Sequence, residues 1–339
     1  MLRIILIFIL MLQSMKSLPS LTRRRALGLA LGAVALTSRP AFAQTAPLEV
    51  VATTGMIADA ARVVGGDHVQ VRALMGPGID PHSYRQTRSD IAALARADLV
   101  LWHGLYLEAQ MEEFLLKLAA RSPVVAVGEA VPESARIAHE DYEGRYDPHV
   151  WMVPELWGAV VDRITEALSA ARPESAQLFV ANAARYKDDL ARLGIYAKDV
   201  LASVPEPARV LVTAHDAFGY FGRAYGYRVE GIQGLSTESE AGLARIRDLV
   251  DLLVSRQIRA VFVESTVSDR NIRALIEGAA AQGHEVIVGG ELFSDAMGTP
   301  GTYEGSYLGM IDHNVTTIAA ALGGTAPARG MDGNLSAGG

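Results

Sequence analysis

The chain alternates between short runs of Val, Ile, Leu and Ala and longer stretches whose apolar residues recur every three or four positions. Short continuous runs read as buried strands, and the longer periodic stretches as helices. In residues 44–172 the expected strands are 48–53, 69–74, 98–102 and 124–127. Their helices open at Thr54-Gly55, run from a Ser89 cap to Arg96, and cover 107–120. A second series has strands at 209–213, 227–232, 260–263 and 285–288, with helices at 216–225, 239–256, 269–282 and 303–322. Strand–helix alternation of this kind predicts parallel sheets in an α/β protein.

Between the two series lies a stretch of a different character. From Glu174 to Ser203 there is no proline and a single glycine, Gly194, while Leu178, Tyr186, Leu190, Leu193, Ala197 and Leu201 keep a helical period. A helix of about 30 residues would be roughly 45 Å long, enough to run the length of the molecule. The alternative is two helices broken at Gly194. The expected fold is therefore α/β, with two Rossmann-like lobes of about four parallel strands each joined by one long backbone helix. The lobes are expected at 44–172 and 205–322 and the linking helix at 173–204. The Gly- and Ala-rich stretch 323–339 is expected to be a disordered tail.

The first 43 residues read as a processing signal. Thr22-Arg23-Arg24-Arg25 precedes the apolar run 26–36, and Ala41-Phe42-Ala43 offers small residues for cleavage. Paired arginines before a weakly hydrophobic core suggest the twin-arginine route. A further apolar stretch, 4–12, makes Met15 the expected start. An uncleaved anchor is the competing reading. Export with cleavage near Ala43 predicts a periplasmic protein. Of 31 basic residues, six lie in 1–43, where there are no acidic ones; 25 basic and 38 acidic residues remain, a formal charge of −13. Such a chain is a poor nucleic-acid partner. There is no cysteine, which excludes disulfides, thiolate metal sites and a lipidated cysteine within this sequence. A mature length of about 295 residues favours two domains.

Candidate chemistry begins with a repeated tripeptide, Asp80-Pro81-His82 and Asp147-Pro148-His149. Proline fixes its own φ and restricts its predecessor, so each histidine sits on a stiff turn. Imidazole nitrogen is a preferred ligand for zinc and its neighbours. Ligands of open α/β sheets collect beyond the carboxyl ends of the strands. Four ligand-type residues stand there: His82 after the second strand, His149 on the loop leaving the first series, His215 after 210–214, and Asp295 after 286–290. Three imidazoles and a carboxylate suit zinc, and equally manganese if the carboxylate is bidentate. Glu264 ends a strand at the same edge and reads as an orienting carboxylate for an imidazole, with direct ligation as the alternative. The other histidines read as structural or solvated: His68 in a turn, His103 and His139 in loops, His284 and His313 in the second series. Asp216 reads as a turn or cap residue, and Asp80 and Asp147 as Asx-turn residues bonding their own backbone. Trp102, Trp151, Tyr84 and Tyr220 read as packing around the cleft.

Four stretches carry a family resemblance: Gly78-Ile79-Asp80-Pro81-His82-Ser83-Tyr84, Asp147-Pro148-His149-Val150-Trp151, Thr213-Ala214-His215-Asp216-Ala217-Phe218-Gly219-Tyr220-Phe221, and Gly290-Glu291-Leu292-Phe293-Ser294-Asp295-Ala296-Met297-Gly298. In this order they resemble the periplasmic zinc/manganese solute-binding proteins of ABC importers, the cluster A-I or TroA-like group, over residues 47 to about 322. The resemblance implies two α/β lobes joined by one backbone helix. It implies His82, His149, His215 and Asp295 as ligands of a transported Zn2+ or Mn2+, and a membrane permease with its ATPase as partners of a monomer. In the family's manganese-dedicated members the third ligand is usually glutamate; here it is His215. Dedicated zinc members often carry a long His-rich loop before the second Asp-Pro-His, where this chain has only Ala138-His139-Glu140-Asp141-Tyr142-Glu143. The dual zinc/manganese type is the nearest match.

Three other functions compete with this reading. A secreted zinc hydrolase would keep an open coordination position and use Glu264 as base, but four protein ligands and the lack of an HExxH motif speak against it. An iron-chelate or vitamin binder of the same fold would want arginine or aromatic contacts. An adhesin would want an anchor. Capture without catalysis is the expected role, with little closure because one stiff helix spans the lobes.

Overall fold

The computed structural model describes residues 46–139 and 144–336. The signal segment 1–43 and its cleavage site lie outside the described residues, as do 140–143 of the short loop before the second Asp-Pro-His. Strands β1 (Leu48–Ala52), β2 (Val69–Ala73), β3 (Leu99–Trp102) and β4 (Val124–Ala126) form one parallel sheet in the order β2-β1-β3-β4. Helices α1 (Gly55–Gly65), α2 (Arg88–Leu94) and α3 (Glu112–Ala119) connect them. The fully buried run Leu99-Val100-Leu101-Trp102 has the unbroken apolar character of a strand covered on both faces. Val51, Leu94, Val100 and Leu115 pack on one side of the sheet, and Val50, Ile57, Leu99 and Leu101 on the other.

Two helices then run back to back, α4 (Pro154–Ala171) and α5 (Ala176–Ala202). The α5 helix is continuous for 27 residues and passes through Gly194 without a break. A Cβ at Gly194 would meet only the carboxylate end of the Glu155 side chain on α4, at 2.9 Å. The α4 helix is not among the elements expected from the sequence, which place none in 128–172. Pro154 at the first turn and the spacing of Trp157, Val160, Val161, Ile164 and Leu168 are the signal for α4.

The second series holds β5 (Val210–Thr213), α6 (Gly219–Tyr225), β6 (Arg228–Gly231), α7 (Leu243–Ser255), β7 (Ala260–Glu264), α8 (Arg270–Ala281), β8 (Ile287–Leu292) and α9 (Tyr307–Ala321). Its strand ladders are parallel, as in the first lobe. The four strands form two ladders, β5–β6 and β7–β8, with β5 and β7 adjacent, so the second lobe lacks one continuous sheet among the described residues. The last strand lies further along than its apolar run suggests. It continues through Gly289-Gly290, where the register shifts opposite Val261/Phe262. A Cβ at Gly289 would meet Ala321 at 2.8 Å and the Phe262 ring at 2.9 Å, so the glycine pair serves close packing and not a turn.

Helix starts also differ from the sequence reading. Thr87, not Ser89, caps α2, in a reciprocal capping box with Asp90. The α3 helix begins at Glu112, because Gly104, Leu105 and Tyr106 all adopt positive φ and break the turn before it. Helices α6 and α7 start three and four residues later than expected.

The largest apolar cluster runs through both lobes. It joins Trp157 of α4, Phe179 and Leu193 of α5, Leu211 of β5 and Tyr307 of α9. Trp157 stacks on Tyr307 with centroids 5.0 Å apart. Truncating such a buried aromatic costs about 3–5 kcal/mol. A shared core of this kind limits how freely the lobes can swing.

The tail does not match its expectation of disorder. Residues 325–336 lie along the second lobe, with Leu335 5% exposed. Their backbone amides end on buried carboxylates, Met331 on Asp312 and Ser336 on Glu304. Apolar periodicity is blind to that kind of anchoring. No described helix is long and apolar enough to cross a membrane.

Candidate metal centre

Each candidate side chain is delivered by a locally determined turn. The loop after β2 turns at Gly78 (φ +71°), and Asp80 Oδ1 accepts from the His82 amide at 2.9 Å. The second tripeptide repeats this turn, with the His149 amide on Asp147 Oδ1 at 2.8 Å, and leads through a 3₁₀ turn at Val150–Met152 into α4. His215 follows β5, its amide donating to Glu264 Oε1 at the end of β7 (2.8 Å). Asp295 follows β8 on a loop without regular structure. Asn314 of α9 clamps the start of that loop, accepting from Phe293 N (2.9 Å) and donating to Phe293 O (2.7 Å). Trp151 Nε1 reaches across from the first lobe to Ser294 O at 2.7 Å.

These turns bring His82, His149, His215 and Asp295 together. All four are buried, and one nitrogen or oxygen from each lies within 4.8 Å of the others. His82 Nε2 is 3.3 Å from His149 Nε2; Asp295 Oδ1 is 3.4 Å from His149 Nε2, and Oδ2 is 3.2 Å from His215 Nε2. The Asp295 contacts are close but not aligned as hydrogen bonds. Both Asp295 oxygens and His215 Nε2 are buried without a hydrogen-bond partner. Leaving such groups unpaired is costly, and a native protein has a reason for each. A cation at their common centre satisfies all of them at once, so the donor set fits Zn2+ or Mn2+.

The outer nitrogens are held by carboxylates. His149 Nδ1 lies 2.7 Å from Asp147 Oδ1, and His215 Nδ1 lies 2.5 Å from Glu264 Oε2. Each ring thus donates its Nδ1 proton outward and turns Nε2 to the centre. Glu264 serves His215, as the orienting reading expects, and does not face the centre as a ligand. Asp147 does more than cap its own turn. The sequence reading missed that role, although an acidic residue two positions before a ligand-type histidine is a usable signal.

The charges divide the three rings in the metal-free protein. Burial pushes His82 down to about 3, with Asp295 opposing. Burial also disfavours charge on His149, but Asp147 and Asp295 outweigh it and raise the ring to about 9. At His215 burial is outweighed by Glu264 and Asp295, so the ring stays charged well above its usual value. Asp295 is held ionised, well below the carboxylate range, because His215 and His149 outweigh its burial.

The remaining histidines stay apart from this group. His68 bonds Ser175 Oγ (2.8 Å), His284 bonds Ile258 O (2.6 Å) and His313 bonds Glu291 O (2.9 Å). His103 is no open loop residue. It is buried edge-on against Trp151 and bonds Pro148 O at 2.7 Å, bracing the turn that carries His149. Tyr220 packs and also works as a brace, its hydroxyl donating to Asp147 O (2.8 Å) and accepting from Ile137 N (3.1 Å). Asn314 and His103 carried no motif that sequence reading recognised.

A buried His3Asp cage between two parallel α/β lobes is the architecture of a metal-ion-binding solute receptor. The chain belongs to the family described as ZnuA, zinc-uptake complex component A, periplasmic, whose model matches residues 50–321. It is 51% identical over 276 residues to the manganese-binding lipoprotein MntA of Bacillus subtilis (strain 168), covering 81% of this chain and 90% of the relative. It is 46% identical over 285 residues to the zinc-binding protein TroA of Treponema pallidum (strain Nichols), covering 84% and 92%. The solved structure of that periplasmic zinc binding protein matches with a TM-score of 0.79 at 45% identity, covering 81% of this chain and 99% of the other. A more distant relative is the manganese ABC transporter substrate-binding lipoprotein PsaA of Streptococcus mitis, 29% identical over 281 residues, covering 81% and 89%.

Proposed function

We propose that the protein captures a zinc or manganese ion between its lobes and delivers it to an ABC permease driven by its ATPase. His82, His149, His215 and Asp295 are the ligands, with Glu264 and Asp147 holding two of the rings. The observation that carries this reading is the group of buried, unpartnered atoms, Asp295 Oδ1 and Oδ2 and His215 Nε2, converging with the other two imidazoles on one point. Closure on all sides favours capture over catalysis, because four protein ligands leave no open position for water. The names of the relatives, zinc-binding and manganese-binding alike, support the pair of cargo ions and the transport role. The protein acts outside the cytoplasm as a monomer, periplasmic after cleavage near Ala43, with its lobes at 44–172 and 205–322 and the helix between them as connector.

The test is the metal content of protein purified from its native envelope, with His215→Glu alongside. One zinc or manganese ion per chain is expected, with the variant shifted toward manganese. Absence of both metals from the native protein refutes the reading.

A further inference from the structure

The family match ends at residue 321, the last residue of α9. The chain beyond it folds back along the second lobe and is tied at both ends. On the side of the long helix α5, Thr325 N donates to Ser203 Oγ at 2.7 Å, and Arg192 donates to Asp332 at 3.2 Å. In the middle, Met331 N donates to Asp312 Oδ2 at 2.9 Å; Asp312 is fully buried on α9 and also accepts from Tyr303 Oη at 3.2 Å. At the far end, Ser336 N donates to Glu304 Oε1 at 2.6 Å and its hydroxyl to Oε2 at 3.1 Å.

Tyr303 and Glu304 belong to the loop that carries Asp295 into α9. Glu304 O accepts from Gly298 N at 2.9 Å, three residues beyond Asp295. That loop has no helix or strand between 293 and 306, so its position depends on such clamps. Asn314 supplies one at its start; near its end the tail supplies others, beside the bond from the Tyr307 amide to Asp59 Oδ2 at 3.0 Å. Gly330 makes the middle clamp possible. Its φ is +74°, and a Cβ there would stand 2.4 Å from Asp312 Oδ2.

We propose that residues 325–336 form a strap which, through Glu304 and Asp312, fixes the Asp295 loop and slows escape of the bound cation. The proposal rests on the reading of Asp295 as a metal ligand. Asp295 is the one anionic member of the cage, so escape requires it to withdraw, and a loop held by the strap as well as by Asn314 and Trp151 withdraws it less readily. The stiff α5 helix is the fixed post to which the strap is tied. Glu304 and Asp312 are positioning residues in this account and do not touch the ion.

The experiment compares the mature chain with a version ending at Gly324 and with Gly330→Ala in the full-length mature chain. Each is loaded with Zn2+ and challenged with excess chelator in a stopped-flow instrument. Hydrogen exchange is followed over 296–306 in the same samples. Coupling through such clamps predicts a dissociation rate raised about tenfold in both variants, with one ion still bound per chain and faster exchange confined to that loop. Rates within about twofold of the parent overturn the strap. So does faster exchange spread over the whole lobe, which would mark general destabilisation. If the truncated chain does not fold, Gly330→Ala decides between these outcomes. A parent chain that binds neither Zn2+ nor Mn2+ refutes the metal reading itself, a result distinct from a parent that binds but does not depend on its tail.

Discussion

The two Asp-Pro-His turns are identical in sequence and share one capping hydrogen bond, yet they present chemically different histidines. In both, the aspartate Oδ1 accepts from the histidine amide, at 2.9 Å in one and 2.8 Å in the other. The turns diverge in what else the aspartate holds. Asp147 is 1% exposed and its Oδ1 also takes the His149 ring at 2.7 Å. Asp80 is only half-buried, and its Oδ2 accepts from the hydroxyls of Ser83 and Thr237 at 2.9 and 2.5 Å, the latter on the second lobe. One aspartate orients and charges a ring; the other ties a loop across the cleft. His149 is accordingly raised to about 9 while His82 is driven down to about 3. A repeated tripeptide specifies a turn. The electrostatics of its histidine come from what the fold packs around it.

Removing either ring tests what the two turns share. His82→Ala and His149→Ala each weaken zinc binding by at least about a hundredfold, since site energies of roughly 10–16 kcal/mol are spread over four ligands. Competition with a chelator of known affinity measures both. The carboxylates test what they do not share. Asp147→Asn weakens binding about 10–100-fold, the usual effect of losing a partner that orients a ligating imidazole. Asp80→Asn costs less than about fivefold, because it touches no ligand ring and loses about one hydrogen bond's worth of energy. Equal losses in the two variants would erase the distinction between the turns. The smallest effect belongs to Thr237→Val, which cuts the tie from Asp80 to the second lobe. It changes affinity by about twofold, through faster dissociation with association unchanged.

Sequence made part of this visible. The four cage residues could be placed together because each follows a strand or stiff turn at the carboxyl edge of a parallel sheet, and they do meet in space. Glu264 could be assigned to an imidazole because it ends β7 beside β5. The role of Asp147 was hidden because an Asx turn explains the same residue without reference to its neighbour's ring. Asn314 and His103 act through hydrogen bonds to backbone groups, which leave no periodicity or motif. The strap was hidden for a related reason. Its stretch is poor in apolar residues, and it is held by amides on two buried carboxylates that lie in other elements. The end of β8 was misplaced because Gly289-Gly290 has the composition of a turn and the environment of a packed strand.

The raised rings set a pH dependence opposite for the empty and loaded protein. In the metal-free chain, the raised value of His149 adds stability that is complete below its unfolded value near 6.5 and is lost as pH rises through about 9. Metal binding must displace that proton, and the one on His215, so apparent affinity climbs with pH over the same window. His82, near 3, contributes nothing there. The most direct measurement is calorimetric titration of Zn2+ into the metal-free protein at pH 7, in buffers of different ionisation enthalpy. The account predicts one ion per chain and about two protons released, falling to about one in Asp147→Asn. Saturation at any other stoichiometry, or release near zero in the parent protein, would contradict it.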